Sequence, residues 1–336
     1  MSGSSDAVLS CPVCSGSSAG SLMSWASGMT IHRCGRCALL FAHPLPSPKQ
    51  LTEFYQGFLY RRPERRKIPQ LKAERREELT RLFGLDPGKA ANGRSFLDHG
   101  GGTGLAYAAS RDLGLDSWFC EADEQAIAFV QEEFGLPGSR RVQDIARHVG
   151  QFDYALSDNV VEHVPDPAAL LAGLVASLKP GGTLVVKTPH AAANDNYFYP
   201  RILALYAKKA ARHNGWGAAL KMLTRDPIWF CDPPRHLYSF SKRSLHELAR
   251  GIGLEEADYR IETYESPLLR NSFYERTFRR PRSLKGLARQ AAGVPAVSAE
   301  LPLKLVQAAL RRAGQISPAG LILRVQRGQP RSSVEG

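Results

Sequence analysis

The chain has 336 residues, 43% of them hydrophobic and 23% charged, with a formal net charge of +12. That length gives room for one large α/β domain plus attachments, and the composition is that of a globular protein with an ample core. No apolar run approaches the length of a membrane span, and the small polar N-terminus lacks the basic-then-apolar order of a signal peptide, so a cytoplasmic protein is expected.

The charge is unevenly placed. From Ser266 to the end, thirteen Lys/Arg face three Glu, a net of +10, which leaves +2 for the first 265 residues. A basic C-terminal third fits an anionic partner such as a phosphorylated glycan carrier, a membrane surface or RNA; the plainer reading is a solvated arginine-rich surface.

Residues 1–10 read as a flexible polar lead. Cys11 and Cys14 form one C-x-x-C and Cys34 and Cys37 another, a spacing suited to a zinc ribbon over 11–45 with each pair at a hairpin tip. Four thiolates close the shell, so the role is structural, and Gly35 fits a turn aiming backbone N–H groups at sulfur. His32 is a spare ligand candidate that four cysteines make unnecessary. Cys120 and Cys231 stand alone and read as core residues. Residues 46–93 form a helical linker: Ser47-Pro48 opens one helix through Tyr55, and a charge-laced helix at Ile68–Phe83 reads as a solvated collar.

From Ser95 the pattern alternates strand and helix, which predicts a parallel sheet covered on both faces. The strands are placed at Phe96–Asp98, Trp118–Glu121, Arg141–Gln143, Phe152–Ser157 and Thr183–Lys187, the last launched by the turn Lys179-Pro180-Gly181-Gly182. Two more follow at Leu254–Thr263 and Leu321–Gln326, after a helix at Ser241–Gly253. The domain as a whole spans 94–330. It contains a lid insertion at 190–231 with a helical piece at Ile202–Arg212, and a basic insertion at 266–318. A structureless stretch as long as the lid would itself suggest a binding element.

Phe96-Leu97-Asp98-His99-Gly100-Gly101-Gly102-Thr103-Gly104 is the most informative run. It is an apolar strand ending in an acid, then a loop with glycine at every second position. A dinucleotide loop needs G-x-G-x-x-G/A, and its last position would fall on Leu105 or Tyr107, so that template fails. Further acids sit at the ends of the next strands. Glu121 lies about twenty residues past the loop, the reach of a ribose diol. Asp144 follows the third strand, and Asp158-Asn159 leads out of the fourth into Glu162-His163. His163, His190 and His236 are candidate bases, because imidazole titrates near working pH. Tyr238 and Trp229 are candidates for an acceptor pocket or for aromatic core.

Asp98–Gly104, Glu162-His163-Val164-Pro165-Asp166-Pro167, Leu178–Gly182, Thr188-Pro189-His190 and Arg235–Ser241 together resemble class I S-adenosylmethionine-dependent methyltransferases of the ubiquinone/menaquinone-type branch. The N-terminal part, Cys37-Ala38-Leu39-Leu40-Phe41-Ala42-His43-Pro44 included, is similar to bacterial methyltransferases with a zinc ribbon ahead of the core. The resemblance covers roughly 11–60 and 94–260. It implies a Rossmann-like seven-stranded α/β sheet in the order 3-2-1-4-5-7-6, its last strand antiparallel. It also implies S-adenosylmethionine contacts at Asp98, Gly100, Gly102, Gly104, Glu121, Asp144 and Asn159, beside the structural zinc read from the cysteine spacing and His163 and His236, the preferred catalytic candidates among the histidines. His99 and Gly101 stand where small apolar residues or cysteine are usual, and Glu121 where Asp is commoner.

The expected function is methyl transfer to a small-molecule, sugar or glycan-intermediate acceptor, most readily to oxygen. An RNA methyltransferase is the alternative; Asp232-Pro233-Pro234-Arg235 only approximates the Asn/Asp-Pro-Pro-Tyr/Phe motif of base methylation. A non-catalytic binding or adaptor protein is the reading from another class.

Overall fold

The computed structural model describes residues 9–25, 28–55, 62–86, 91, 93–265 and 305–328. Two sheets organise them. The larger has seven strands: β4 (Ser95–His99), β5 (Asp116–Cys120), β6 (Arg141–Val142), β7 (Phe152–Asp158), β8 (Leu178–Pro189), β10 (Tyr259–Tyr264) and β11 (Gly320–Gln326). Their spatial order is β6-β5-β4-β7-β8-β11-β10, with β11 antiparallel to both neighbours. In order along the sheet this is 3-2-1-4-5-7-6, the order the resemblance implies. The central strands are buried on both faces, as their continuous apolar runs require.

The smaller sheet joins β1 (Ser18–Ser24), β2 (Thr30–Cys34) and β3 (Leu40–His43) of the N-terminal segment to β9 (Tyr238–Ser239), which pairs antiparallel with β3. A fourth strand from nearly two hundred residues downstream thus completes the ribbon. Leu9 and Ser10, read as part of the flexible lead, are tied to it: Ser10 bridges Ser17, and Leu9 N–H donates to Ser18 Oγ at 3.1 Å.

Helix α1 (Pro48–Tyr55) starts at its proline signal, and α2 (Ile68–Phe83) carries a proline in its first turn and ends at Gly84, which adopts the left-handed C-cap conformation at φ 62°. Helices α3 (Leu105–Asp112), α4 (Glu124–Phe134), α5 (Pro167–Ser177) and α7 (Lys242–Gly251) cover the sheet. Helix α8 spans 305–312. The lid contains one longer helix, α6 (Pro200–Thr224), which continues past Arg212 across a kink at Gly215 (φ 80°, ψ 170°).

Other boundaries also differ from expectation: β5 starts two residues early, at Asp116, and ends at Cys120, just before Glu121. Strand β8 begins at Leu178, because Leu178 pairs with Phe152 before the Lys179–Gly182 turn bulges out and pairing resumes at Thr183. Strand β10 begins only at Tyr259, since 256–258 form a 3-10 turn. The basic insertion falls largely on 266–304, outside the described residues.

Candidate functional site

The carboxyl ends of β4, β5, β6 and β7 bring the predicted strand-end acids to one edge of the sheet, where ligands of open α/β sheets bind. After β4 the chain turns through Gly100 (φ 65°) and Gly104 (φ 68°), both in the left-handed region. A Cβ at Gly100 would lie 2.3 Å from Val160 Cγ2, and one at Gly104 2.5 Å from Val130 Cγ2, so neither position admits a side chain. A Cβ at Gly102 would meet nothing within 4 Å, which leaves that turn of backbone open to a ligand.

Asp98 is buried beneath the loop, where its Oδ2 accepts a 2.9 Å bond from Tyr107 N–H. Burial pushes its carboxyl up to about 7, against the pull of Arg75 and that hydrogen bond. Glu121 faces the same loop and accepts from Gly102 N–H at 2.8 Å, Ala122 N–H at 2.7 Å and Asp123 N–H at 3.1 Å. Asp144 caps a short turn through Ala146 N–H (3.0 Å) and lines a cavity of about 290 Å³ with Arg141, Gln143, Arg147 and His148. Asn159 leaves β7 in the left-handed region (φ 57°), its Nδ2 donating to Asp158 Oδ1 at 2.8 Å. His99, half-buried at the end of β4, is held down at about 4 by loss of solvent and is therefore neutral.

Helix α2 corrects the reading of a solvated collar. Its Arg75 donates to Asp158 Oδ2 and to Glu78 Oε2, each at 2.7 Å. Lys187, only 3% exposed, reaches Glu78 Oε1 at 2.6 Å and Asp158 Oδ2 at 3.0 Å. Two cations and two carboxylates thus close a compensated network behind the end of β7. Burial would raise Asp158, but Lys187 and Arg75 hold it below the ordinary carboxylate range. Sequence reading missed this group; the signal was a buried-strand lysine, Lys187, which demands acidic partners.

Past β7, Glu162, His163 and His236 bring one ligand-capable atom each within 4.8 Å of one another. The imidazoles of His163 and His236 lie 4.6 Å apart between centroids. His163 Nδ1 sits 2.7 Å from the Arg235 carbonyl and 3.0 Å from Tyr55 Oη, while Tyr55 itself donates to that carbonyl at 2.8 Å. These bonds assign the proton to Nδ1 and leave Nε2 a bare acceptor, 3.9 Å from Glu162 Oε1. His236 Nδ1 lies 2.7 Å from Asp232 Oδ1, off the line of a good hydrogen bond. Lys209 and Arg235 also bind Asp232, at 2.7 and 2.8 Å.

Burial holds His163 at about 3, with His236 adding to the effect, and lowers His236 as well. Burial lifts Glu162 to about 8 despite the 3.0 Å bond from Thr188 Oγ1, and Glu162 Oε1 has no hydrogen-bond partner. At neutral pH this is a protonated acid between two neutral imidazoles. His190 lies apart, its Nδ1 serving Pro318 O at 3.0 Å and Ser317 Oγ at 3.2 Å. Tyr238 and Trp229 are fully buried core residues. Cys231 is buried as expected, and Cys120 is half-buried at the end of β5.

The four N-terminal cysteines converge from two matching knuckles. Ser15 N–H donates to Cys11 O and Ala38 N–H to Cys34 O, both at 3.0 Å, and Ser15 and Ala38 are both left-handed (φ 57° and 59°). Sulfurs of a tetrahedral zinc site lie about 3.8 Å apart for Zn–S of about 2.3 Å. Cys11 and Cys37 sulfurs are 3.7 Å apart and those of Cys14 and Cys34 3.5 Å, all four falling within 4.8 Å, so the set fits zinc. The amide turned toward sulfur is that of Cys37, 3.4 Å from Cys34 Sγ; Gly35 N–H instead donates to Ser17 O. His32 stacks on Phe41 and is not among the four ligands.

The family model described as a methyltransferase domain matches residues 65–257, more than half of the chain. Ubiquinone biosynthesis O-methyltransferase of Psychrobacter arcticus is 33% identical over 105 residues, covering 29% of this chain and 41% of that protein. The enzyme of the same name from Paramagnetospirillum magneticum is 34% identical over 113 residues, covering 32% and 45%. The chain therefore spans less than half the length of these curated relatives. A solved SAM dependent methyltransferase from Archaeoglobus fulgidus aligns over 76% of this chain and 94% of its own, at 15% identity and a TM-score of 0.44. No described helix is long and apolar enough to cross a membrane. The chain belongs to the methyltransferase-domain family.

Proposed function

We propose that the protein transfers the methyl group of S-adenosylmethionine to an oxygen of a small-molecule, sugar or glycan-intermediate acceptor. One juxtaposition carries this reading. The glycine loop, with Asp98 and Glu121, opens on the sheet edge from which Asn159 leads into Glu162 and His163. The relatives' name, ubiquinone biosynthesis O-methyltransferase, supports oxygen as the acceptor atom.

The residues fit the cofactor. Asp98 is a buried acid short of positive charge, suited to an ammonium group, and Gly102 leaves its side of the loop open. Glu121 would take the ribose hydroxyls and Asp144 the adenine amine. Bound S-adenosylmethionine supplies a methyl group on a sulfonium, open to in-line displacement. The protein's part is then alignment, with a base for acceptors that must lose a proton. His163 Nε2, fixed as an acceptor by Arg235 and Tyr55, accepts a hydrogen bond from the acceptor hydroxyl and aims its oxygen, the proton passing to water as the methyl is transferred, and His236 is held beside it by Asp232. Zinc on Cys11, Cys14, Cys34 and Cys37 would be structural. An RNA acceptor has less support, because Asp232 of the Asp-Pro-Pro-Arg run is engaged by Lys209, Arg235 and His236.

Calorimetry should find S-adenosylmethionine binding that is lost in Asp98→Ala and Glu121→Ala; undiminished binding in both variants refutes the pocket. Tritiated-methyl transfer into fractions of a cell extract, with an RNA fraction among them, then identifies the acceptor class. Label appearing in RNA alone would replace the small-molecule reading.

A further inference from the structure

Helix α6 has two unlike faces. Its inner face buries Tyr206, Ala210, Ala219 and Met222 against Trp25, Ile31, Leu40, Ile228 and Trp229. Asn214 pins the helix to β1 by two hydrogen bonds to Ser24, its Oδ1 accepting from the Ser24 N–H at 3.0 Å and its Nδ2 donating to the Ser24 carbonyl at 2.7 Å. The outer face exposes Leu205 (46%), Trp216 (76%) and Leu220 (62%). Exposed Lys208, Arg212 and Lys221 share it. No aspartate or glutamate occurs anywhere from Pro200 to Thr224. Lys221 meets Asp226, beyond the helix, at 3.6 Å; among the described residues Lys208 and Arg212 have no ion-pair partner.

The apolar exposure is concentrated rather than scattered. Among the described residues seven large hydrophobic side chains are exposed, and three are on α6. Two more, Leu305 and Val306, are on α8, which is tied to the segment just before α6: Gln307 and Arg311 both bond Asp195. An exposed tryptophan flanked by leucines and cations, without acids, matches what an anionic lipid interface selects. The indole and leucines enter the headgroup–acyl boundary while the long cationic side chains reach lipid phosphates.

We infer that the outer face of α6 docks in the plane of an anionic membrane surface, with Trp216 and Leu220 inserted and Lys208 and Arg212 on the headgroups. The kink at Gly215 separates a basic N-terminal half, with Lys208 and Arg212, from a half led by Trp216. A bilayer accepts both together, being charged at its surface and apolar just below. The inference stands on the helix itself.

The full chain should co-sediment with phosphatidylglycerol-containing vesicles but not with pure phosphatidylcholine, and added salt should release it. Trp216→Ala combined with Leu220→Ser should weaken the partition by about ten-fold, as should Lys208→Glu combined with Arg212→Glu. All four positions are exposed, so S-adenosylmethionine binding by calorimetry should be unchanged in these variants. That measurement also separates the two ideas: a chain that binds vesicles but not cofactor keeps the docking and loses the enzyme reading. Equal partition of wild type and both variants overturns the docking. So does light scattering that shows a dimer dissolved by Trp216→Ala, or salt-sensitive RNA binding with no affinity for vesicles.

Discussion

Asp98 and Glu162 are buried acids whose surroundings penalise the ionised form, so each makes the site respond to pH in a definite direction. Burial lifts Asp98 from 3.8 to about 7 and Glu162 from 4.5 to about 8. For Glu162 the unfolded chain releases its proton first. The stability the group contributes is full below 4.5, declines as pH rises and is gone above about 8. Glu162→Gln should therefore melt near the wild type at acid pH, and increasingly above it as pH approaches 8, with the gap then level. A gap that does not vary with pH would mean the carboxyl is ionised throughout. In the role proposed for it Asp98 needs its charge to hold a cationic group, so cofactor affinity should fall about ten-fold per pH unit below about 7. Calorimetry across that range checks it. Binding above that pH should need no proton release, whereas below it the release should be visible in buffers of different ionisation heat.

The segment 235–241 connects the ribbon to the site. Strand β9 pairs with β3, Ala42 N–H donates to Leu237 O at 2.8 Å, and Leu237 N–H donates to Glu162 O at 2.9 Å. Ser241 caps α7, accepting from Ser244 N–H at 3.1 Å, and its Oγ reaches the Cys37 carbonyl at 2.9 Å. Ser241→Ala should cost about 1–2 kcal/mol, read as a lower melting temperature. It should slow methyl transfer by loosening the His236 segment while leaving cofactor affinity intact; equal losses of both would place its effect elsewhere. Most of these elements were legible locally. Short apolar runs in strand–helix alternation located β4, β5 and β7, and the Ser47-Pro48 and Ser241 signals located the starts of α1 and α7. Strand β9 was not, because two residues carry no period and their partner is distant in sequence. Arg75 and Glu78 escaped for a related reason. On a helix rich in charge, nothing local distinguishes a pair facing solvent from a pair facing buried Lys187. The glycine loop could be read because backbone conformation restricts residue type directly, whereas the Glu162–His163–His236 cluster is assembled by tertiary packing.

At the scale of the molecule, the ribbon and the large sheet share a core. Cys11, Cys34, Cys37, Leu39 and Phe41 belong to the same buried apolar cluster as Leu97, Phe152, Leu184, Leu237 and Phe240. A ribbon this small depends on metal for its own stability. With its cysteines packed into the common core, loss of the metal should be felt beyond the ribbon. Calorimetric unfolding of the described core should then show one cooperative transition, which a chelator or Cys34→Ser moves downward as a whole. A separate low-temperature peak, with the main peak unmoved, would mean that the ribbon melts independently. The coupling has a reciprocal consequence. A ligand that binds only the folded state at the β4 edge raises the same transition, by about 2.7 kcal/mol at a hundred-fold excess over its dissociation constant. Saturating S-adenosylmethionine should therefore slow hydrogen exchange at the Cys34 and Cys37 amides as well as at Gly102, wherever those amides exchange through global unfolding. Protection confined to the glycine loop would show that the shared core does not couple the two sites.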